Sequence, residues 1–572
     1  NFEQCGAQYT SSPSLIAKYN YSGPVRLVPP NASSQITYSG CVALCGTGNN
    51  WYDWSISSSF ITTWILPILG TLLQAPFESN AFWRTIQAIC RWVGSPMSSL
   101  AYVLWNIKVS GKCAMFVDMS APYDGPLPDM ESDFASMRDS FYLLMNINQY
   151  KMKPLISMTK EAEGLLRIAL FSKNLQLIGS RKTLNQMRQK LARELRSNRR
   201  RGVVPVFIST LWFLFSLGIS IQSAFGFLGN NTQAHDLAIG LFMGWFPVLI
   251  LCSIVDRNPV ASDDIRKKLN KLVDLVCVSL EDEENRQAFI NSFHDLPEAH
   301  IMTHWVRKIS EQTHLIKGNY FTGFAGQGRV RFHYGAAHAI LIDIEKAYIA
   351  DYGRNWLANE RVARANLVLG HVDRSFVWFD GRQCWQILGA ISCVGGTIAG
   401  AFILSYFTPT VGLSCRSGGY MVFGVVATAL LVAEFLIWAY TSPDTVRKNI
   451  KALRQLNARR WFEYCFFIPV EAFNCAWLIY LFLAQTTGAF VNCACQASTW
   501  SPRGGYLDFN VWQYSANPQL HKYWVEGTII SCTFMGVGIV YVVIEWCLQA
   551  HLSTEDYDDA LRGLRMVRRF RR

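Results

Sequence analysis

Long uncharged stretches alternate with long polar ones along these 572 residues, and that alternation predicts the architecture. A helix crossing about 30 Å of hydrocarbon needs roughly 20 consecutive apolar residues, because its backbone groups find no water there and must bond one another. Seven runs meet the requirement, near residues 56 to 74, 203 to 228, 236 to 255, 385 to 408, 418 to 441, 463 to 485 and 526 to 549. An eighth, 81 to 107, is long enough but carries Arg84 and Arg91 and is broken at Gly94-Ser95-Pro96. Charge is costly at a bilayer centre and proline interrupts a helix, so this run reads as a re-entrant or interfacial helical pair. The predicted fold is all-α and polytopic, with seven transmembrane helices and the amino-terminal segment outside.

Three features give the same topology. Lys and Arg collect on the cytoplasmic side of membrane spans. With residues 1–55 outside and seven crossings, the outer segments hold only Lys18, Arg26, Arg416, Arg503 and Lys522 of the 53 basic residues. The glycosylation sequons at Asn20, Asn31 and Asn230 all fall outside. So do Cys5, Cys41, Cys45, Cys415, Cys493 and Cys495, an even number in an oxidising compartment, with their pairing open. Residues 75–202 and 256–384 then form two cytosolic helical regions flanking a tight hairpin at 203–255. The last four spans occupy 385–549 with an outer loop at 486–525, and 550–572 is a basic cytosolic tail. The loop is expected to cap the bundle together with the N-terminal segment, and the two cytosolic regions to pack on each other.

Composition sharpens this picture. Half the residues are hydrophobic, 35 are Phe and 19 are Trp, while 16% are charged, which excludes an ordinary soluble multidomain protein. The net charge of +12 follows from the topology and requires no nucleic acid. Two basic segments, RKTLNQMRQKLARELRSNRRR at 181–201 and LRGLRMVRRFRR at 561–572, suit anionic lipid at the inner leaflet. The expected partners are the bilayer itself, anionic lipids at these segments and further copies of the chain. The expected location is the secretory pathway, ending at the plasma membrane.

The segments WYDWSISSSFITTWILPILGTLLQAPFESN at 51–80 and GFAGQGRVRFHYGAAHAI at 323–340 resemble stretches of uncharacterised multi-pass membrane proteins of filamentous fungi. The resemblance implies a fungal membrane protein of the secretory pathway and brings no activity or functional residue.

Three constellations are candidates for chemistry. Acids inside spans usually mark ion paths, proton relays or polar helix contacts. Here they are Glu434, Glu471 and Glu545, with Asn474 one helical turn from Glu471 and Pro469 nearby. The second is a histidine group: His300 and His304 are one turn apart, and His333 and His338 follow, spacings that suit a metal. This resembles the boxes of membrane di-iron hydroxylases and desaturases, but no His-His pair occurs in the chain. The third is the glycine-rich turn GFAGQGRVR, whose backbone amides with Arg329 and Arg331 suit a phosphate or lipid head group. No nucleophile elbow, zinc-protease motif or catalytic triad signature is present, so no cofactor is expected beyond a metal on the histidines. Two function classes follow: a channel or transporter for a small cation or proton, and a non-enzymatic sensor or scaffold docking cytosolic partners or lipid. A membrane metalloenzyme is the third and rests on the histidines alone.

Overall fold

The computed structural model describes the chain except residues 1, 29, 76–81, 125, 127, 154–158, 199–202, 227–230, 256–261, 297–298, 327, 329, 334, 371–379, 442–456, 500–504, 510–517 and 572. Seven of its helices are long and apolar enough to span a membrane. They are Trp54–Leu72, Val203–Phe225, Asn231–Val255, Gln383–Tyr406, Cys415–Thr441, Asn457–Thr487 and Gln519–Ser553, numbered here as the first to the seventh span. Each coincides with one of the apolar runs to within a few residues, which is compatible with a polytopic helical membrane protein.

Small residues let the spans approach closely, since apolar lipid gives helices little hydrophobic reason to associate. Trp64 of the first span lies flat against Gly240 of the third, where any Cβ would overlap the indole. Gly400 of the fourth span and Gly527 of the seventh meet backbone to backbone, and Ser531 Oγ donates to the Thr397 carbonyl at 2.9 Å. The third span is enclosed by the others, 94% buried.

The eighth run folds as a broken pair, α1 (Phe82–Gly94) and α2 (Pro96–Met119), parted at Ser95. Neither lies on a surface along its whole length. The α1 helix packs along the sixth span, and α2, buried on nearly all sides, packs on the fourth and seventh before entering the neighbouring helical regions.

Those regions share one core, as the pattern predicted. Helices α3 (Asp133–Ile147) and α4 (Lys160–Phe171) from the first join α5 (Ser262–Glu281), α6 (Ala299–Ile316), α7 (Ala337–Ile344) and α8 (Glu360–Leu369) from the second in a single apolar cluster. Two short strands, Tyr150–Met152 and Phe321–Phe324, pair antiparallel across the regions, so the fold is not purely helical. Inside this core Arg167 reaches Glu163 at 3.1 Å and also contacts Asp343, all three sealed from solvent.

At the other end of the spans, residues 2–53 and the last loop form one cap. Gln35–Thr37 pairs with Tyr506–Asp508, and disulfides join Cys5 to Cys45, Cys41 to Cys493 and Cys415 to Cys495. All six cysteines placed on one side by the sequence are thus paired, and the neighbours Cys493 and Cys495 take different partners. Asn20 is exposed beside this cap, whereas Asn31 Oδ1 already accepts from Ser33, the hydroxyl of its own sequon; Asn230 lies outside the described residues. The final helix, α9 (Tyr557–Arg571), folds back on the shared core. Arg568 binds Asp118 at 2.8 Å and Arg571 binds it at 3.2 Å, so part of the basic tail is spent on a buried carboxylate.

Candidate functional site

Two of the three acids singled out in the sequence, Glu434 and Glu471, meet. Glu434 stands on the inner face of the fifth span and Glu471 on that of the sixth, each 3% exposed. Unpaired ions at such depth would cost several kcal/mol each. Both are met by arginines from segments that are not spans. Arg91, in the last turn of α1, places Nη2 3.0 Å from Glu434 and Nη1 3.3 Å from Glu471. Arg331, just past the glycine-rich turn, pairs with Glu471, lies 3.9 Å from Glu434 and reaches Glu463 at 3.6 Å. The two guanidiniums and the two fully buried carboxylates balance in charge, and the partly exposed Glu463 adds a third carboxylate at the edge.

Local backbone features permit the meeting. A Cβ at Gly94 would overlap the Glu471 carbonyl, so only glycine lets α1 end against the sixth span. Asn474 fixes that contact by donating to the Gly94 carbonyl at 2.7 Å. The turn brings the Gly328 carbonyl onto Arg91 Nε at 2.5 Å, in a left-handed conformation (φ 65°) suited to glycine. Aromatic faces close the sides: Tyr102 under Arg91, with its hydroxyl accepting from the Phe332 amide at 2.7 Å, and Phe467 under Arg331. Two buried polar atoms lack hydrogen bonds, Asn474 Oδ1 and Arg331 Nε.

Arg331 is taken up by buried carboxylates in this structure. The glycine-rich turn delivers it inward to carboxylates, and Arg329 lies outside the described residues. Glu545 stands apart from the cluster, accepting from Gln549 at 2.7 Å and facing a separate cavity. A void of about 20 Å³ lined by Tyr102, Gln383 and Glu434 shares Trp105 and Gln386 with that larger cavity, which measures about 590 Å³. Toward the capped end, the sixth span buries Leu478 and Leu481, followed by Gln485. Gln485 accepts from Arg416 at 2.8 Å and donates to Asp236 at 2.9 Å.

The histidines are not gathered. His300 and His304 are exposed on α6. His333 Nε2 lies 2.8 Å from the Asn148 carbonyl, and burial pushes the imidazole down to about 4. His338 lies 2.9 Å from Asp380 and edge-on to Trp105; burial holds it below its ordinary value in spite of the carboxylate. Among the described residues the one group of three spaced for a metal is Cys41, Cys45 and Cys493, all of them in disulfides here.

Sequence reasoning found Glu434, Glu471 and Asn474 and missed that Arg91 and Arg331 were their partners. The signal was available: an arginine in an otherwise apolar run demands a buried acid, and the chain offers few. No protein-family model, no curated protein and no solved structure matches this chain.

Proposed function

We propose that the chain is a membrane transport protein for a proton or small cation, with the disulfide-bonded cap outside, the shared helical core and C-terminus in the cytosol, and Glu434 and Glu471 as the groups its cargo meets. One observation carries the reading: two carboxylates on adjacent spans are held by internal cations that arrive on a broken helix and a glycine turn rather than on the spans. A cargo cation or proton that takes the place of one guanidinium conserves the local charge, which is the exchange a carrier requires. The orphaned Asn474 Oδ1 beside Glu471 is an acceptor for such a cargo. Polar groups stand at both levels of the sixth span, Glu471 and Gln485, with Leu478 and Leu481 between them as an apolar barrier. A void of about 20 Å³, room for one water, adjoins Glu434.

The test is proton and cation flux into proteoliposomes, comparing the wild type with Glu434→Gln and Glu471→Gln. Flux in the wild type and its loss in both variants, at unchanged folding, supports transport. A sensor or scaffold is the second reading, favoured by the balance of the four charges, which would make the cluster a clasp between α1 and the spans. Absence of flux from a folded wild type establishes that reading instead.

A further inference from the structure

The larger cavity is walled by five segments that converge where the spans meet the helical core. They are the middle of α2, helix α7 with Glu345 just beyond it, the first turn of the fourth span, the last turns of the seventh, and the end of α9. Its charged lining is basic: Lys108, Lys112, Arg382 and Arg571 against Glu345 and Glu545. Lys112 is taken by Glu345 and Arg571 by Asp118. Among the described residues Lys108 and Arg382 form no ion pair, and both are exposed at the rim. Gln386, in the wall between them, holds a buried Oε1 without a hydrogen-bond partner.

With the seven apolar helices set across a bilayer, the cavity falls at the edge of the apolar layer, where head groups lie. Arg382 precedes the fourth span by one residue, and Trp385 in its first turn is 74% exposed, as aromatic residues are at membrane interfaces. About 590 Å³ is within the range of small-molecule sites. Lys108 and Arg382 supply charge for a phosphate, Gln386 Oε1 accepts from a neighbouring hydroxyl or ammonium, and Trp385 flanks the exit of acyl chains toward lipid.

We infer that this cavity is a binding site for the phosphate-bearing head group of one anionic phospholipid, with Lys108 and Arg382 as the phosphate ligands. The site is separate from the four-charge cluster, and the inference stands whether or not that cluster transports an ion. A membrane lipid is preferred over a soluble phosphate because the rim opens beside the lipid-facing Trp385.

Native mass spectrometry of the full chain, released from detergent after mixing with phosphatidylserine, phosphatidylcholine or inorganic phosphate, reads the site directly. One phosphatidylserine per chain is expected, with affinity about tenfold or more weaker in Lys108→Gln/Arg382→Gln. Both side chains are exposed, so the variant loses no packing; its thermal midpoint checks this, and the single Lys108→Gln variant serves if the double one is unstable. An Arg565→Gln/Arg569→Gln control, on the exposed face of α9, should retain the lipid. Equal binding by variant and wild type, equal loss in the control, or equal retention of phosphatidylcholine would overturn the site. Saturation by inorganic phosphate alone would replace the lipid with a soluble anion.

Discussion

Asp118 shows what single buried charges do in this molecule. It is fully buried and accepts from Arg354, Arg568 and Arg571, and although burial opposes ionisation, these arginines hold its carboxyl below the usual range. Its contribution to stability is present above the ordinary carboxylate value and is lost as pH falls through the lower folded one. Asp118→Ala leaves the buried Arg568 guanidinium without its carboxylate, and should cost about 3–5 kcal/mol in chemical denaturation while exposing α9 to protease. His333 applies the same logic to a base. Kept neutral by burial, it is protonated in the unfolded chain below about 6.5 but in the folded one only near 4. The unfolded state then binds more protons, so stability should fall as pH drops from 6.5 toward 4, and a thermal-midpoint profile of His333→Gln should be less steep there, the remaining slope belonging to the other buried histidines such as His338.

Among the elements, α1 and α2 carry the most consequence. Their existence and their break at Gly94-Ser95-Pro96 were legible in the sequence because proline and charge both act locally. Their destination was not, since nothing in an isolated run says which carboxylate will neutralise Arg91. The destination of the glycine-rich turn was hidden for a related reason. Glycines that suit a phosphate also suit a tight return of the chain, and the choice was made by Glu471, 140 residues away from Arg331. Gly94→Ala tests the placement of α1: its methyl meets the Glu471 carbonyl, and the resulting shift should lower the thermal midpoint by an amount equivalent to about 1–3 kcal/mol. The cap offers a comparable test. Cys41→Ser with Cys493→Ser removes the link between the N-terminal segment and the last loop, 452 residues apart, and should destabilise the cap by about 2–4 kcal/mol in denaturant titration.

Across the whole molecule, hydropathy located the seven helices that, among the described residues, are long and apolar enough to cross a membrane, because the requirement for about 20 apolar residues is nearly independent of tertiary context. The six cysteines grouped on one side by the sequence lie together at one end of the spans and are paired there. Function was less legible, since it depends on which polar groups converge rather than on how many there are. Glu434, Glu471 and Asn474 converge; Glu545 and the histidines do not. The cluster is balanced, so a clasp and a carrier predict the same fragility for any single substitution that leaves one charge alone. A charge-balanced pair separates them. The deciding measurement is flux in proteoliposomes of Glu471→Gln/Arg331→Gln beside the wild type, with folding verified for both. The carrier account predicts flux in the wild type and a folded double variant that conducts nothing; a double variant that conducts like the wild type, or a folded wild type with no flux, would contradict it.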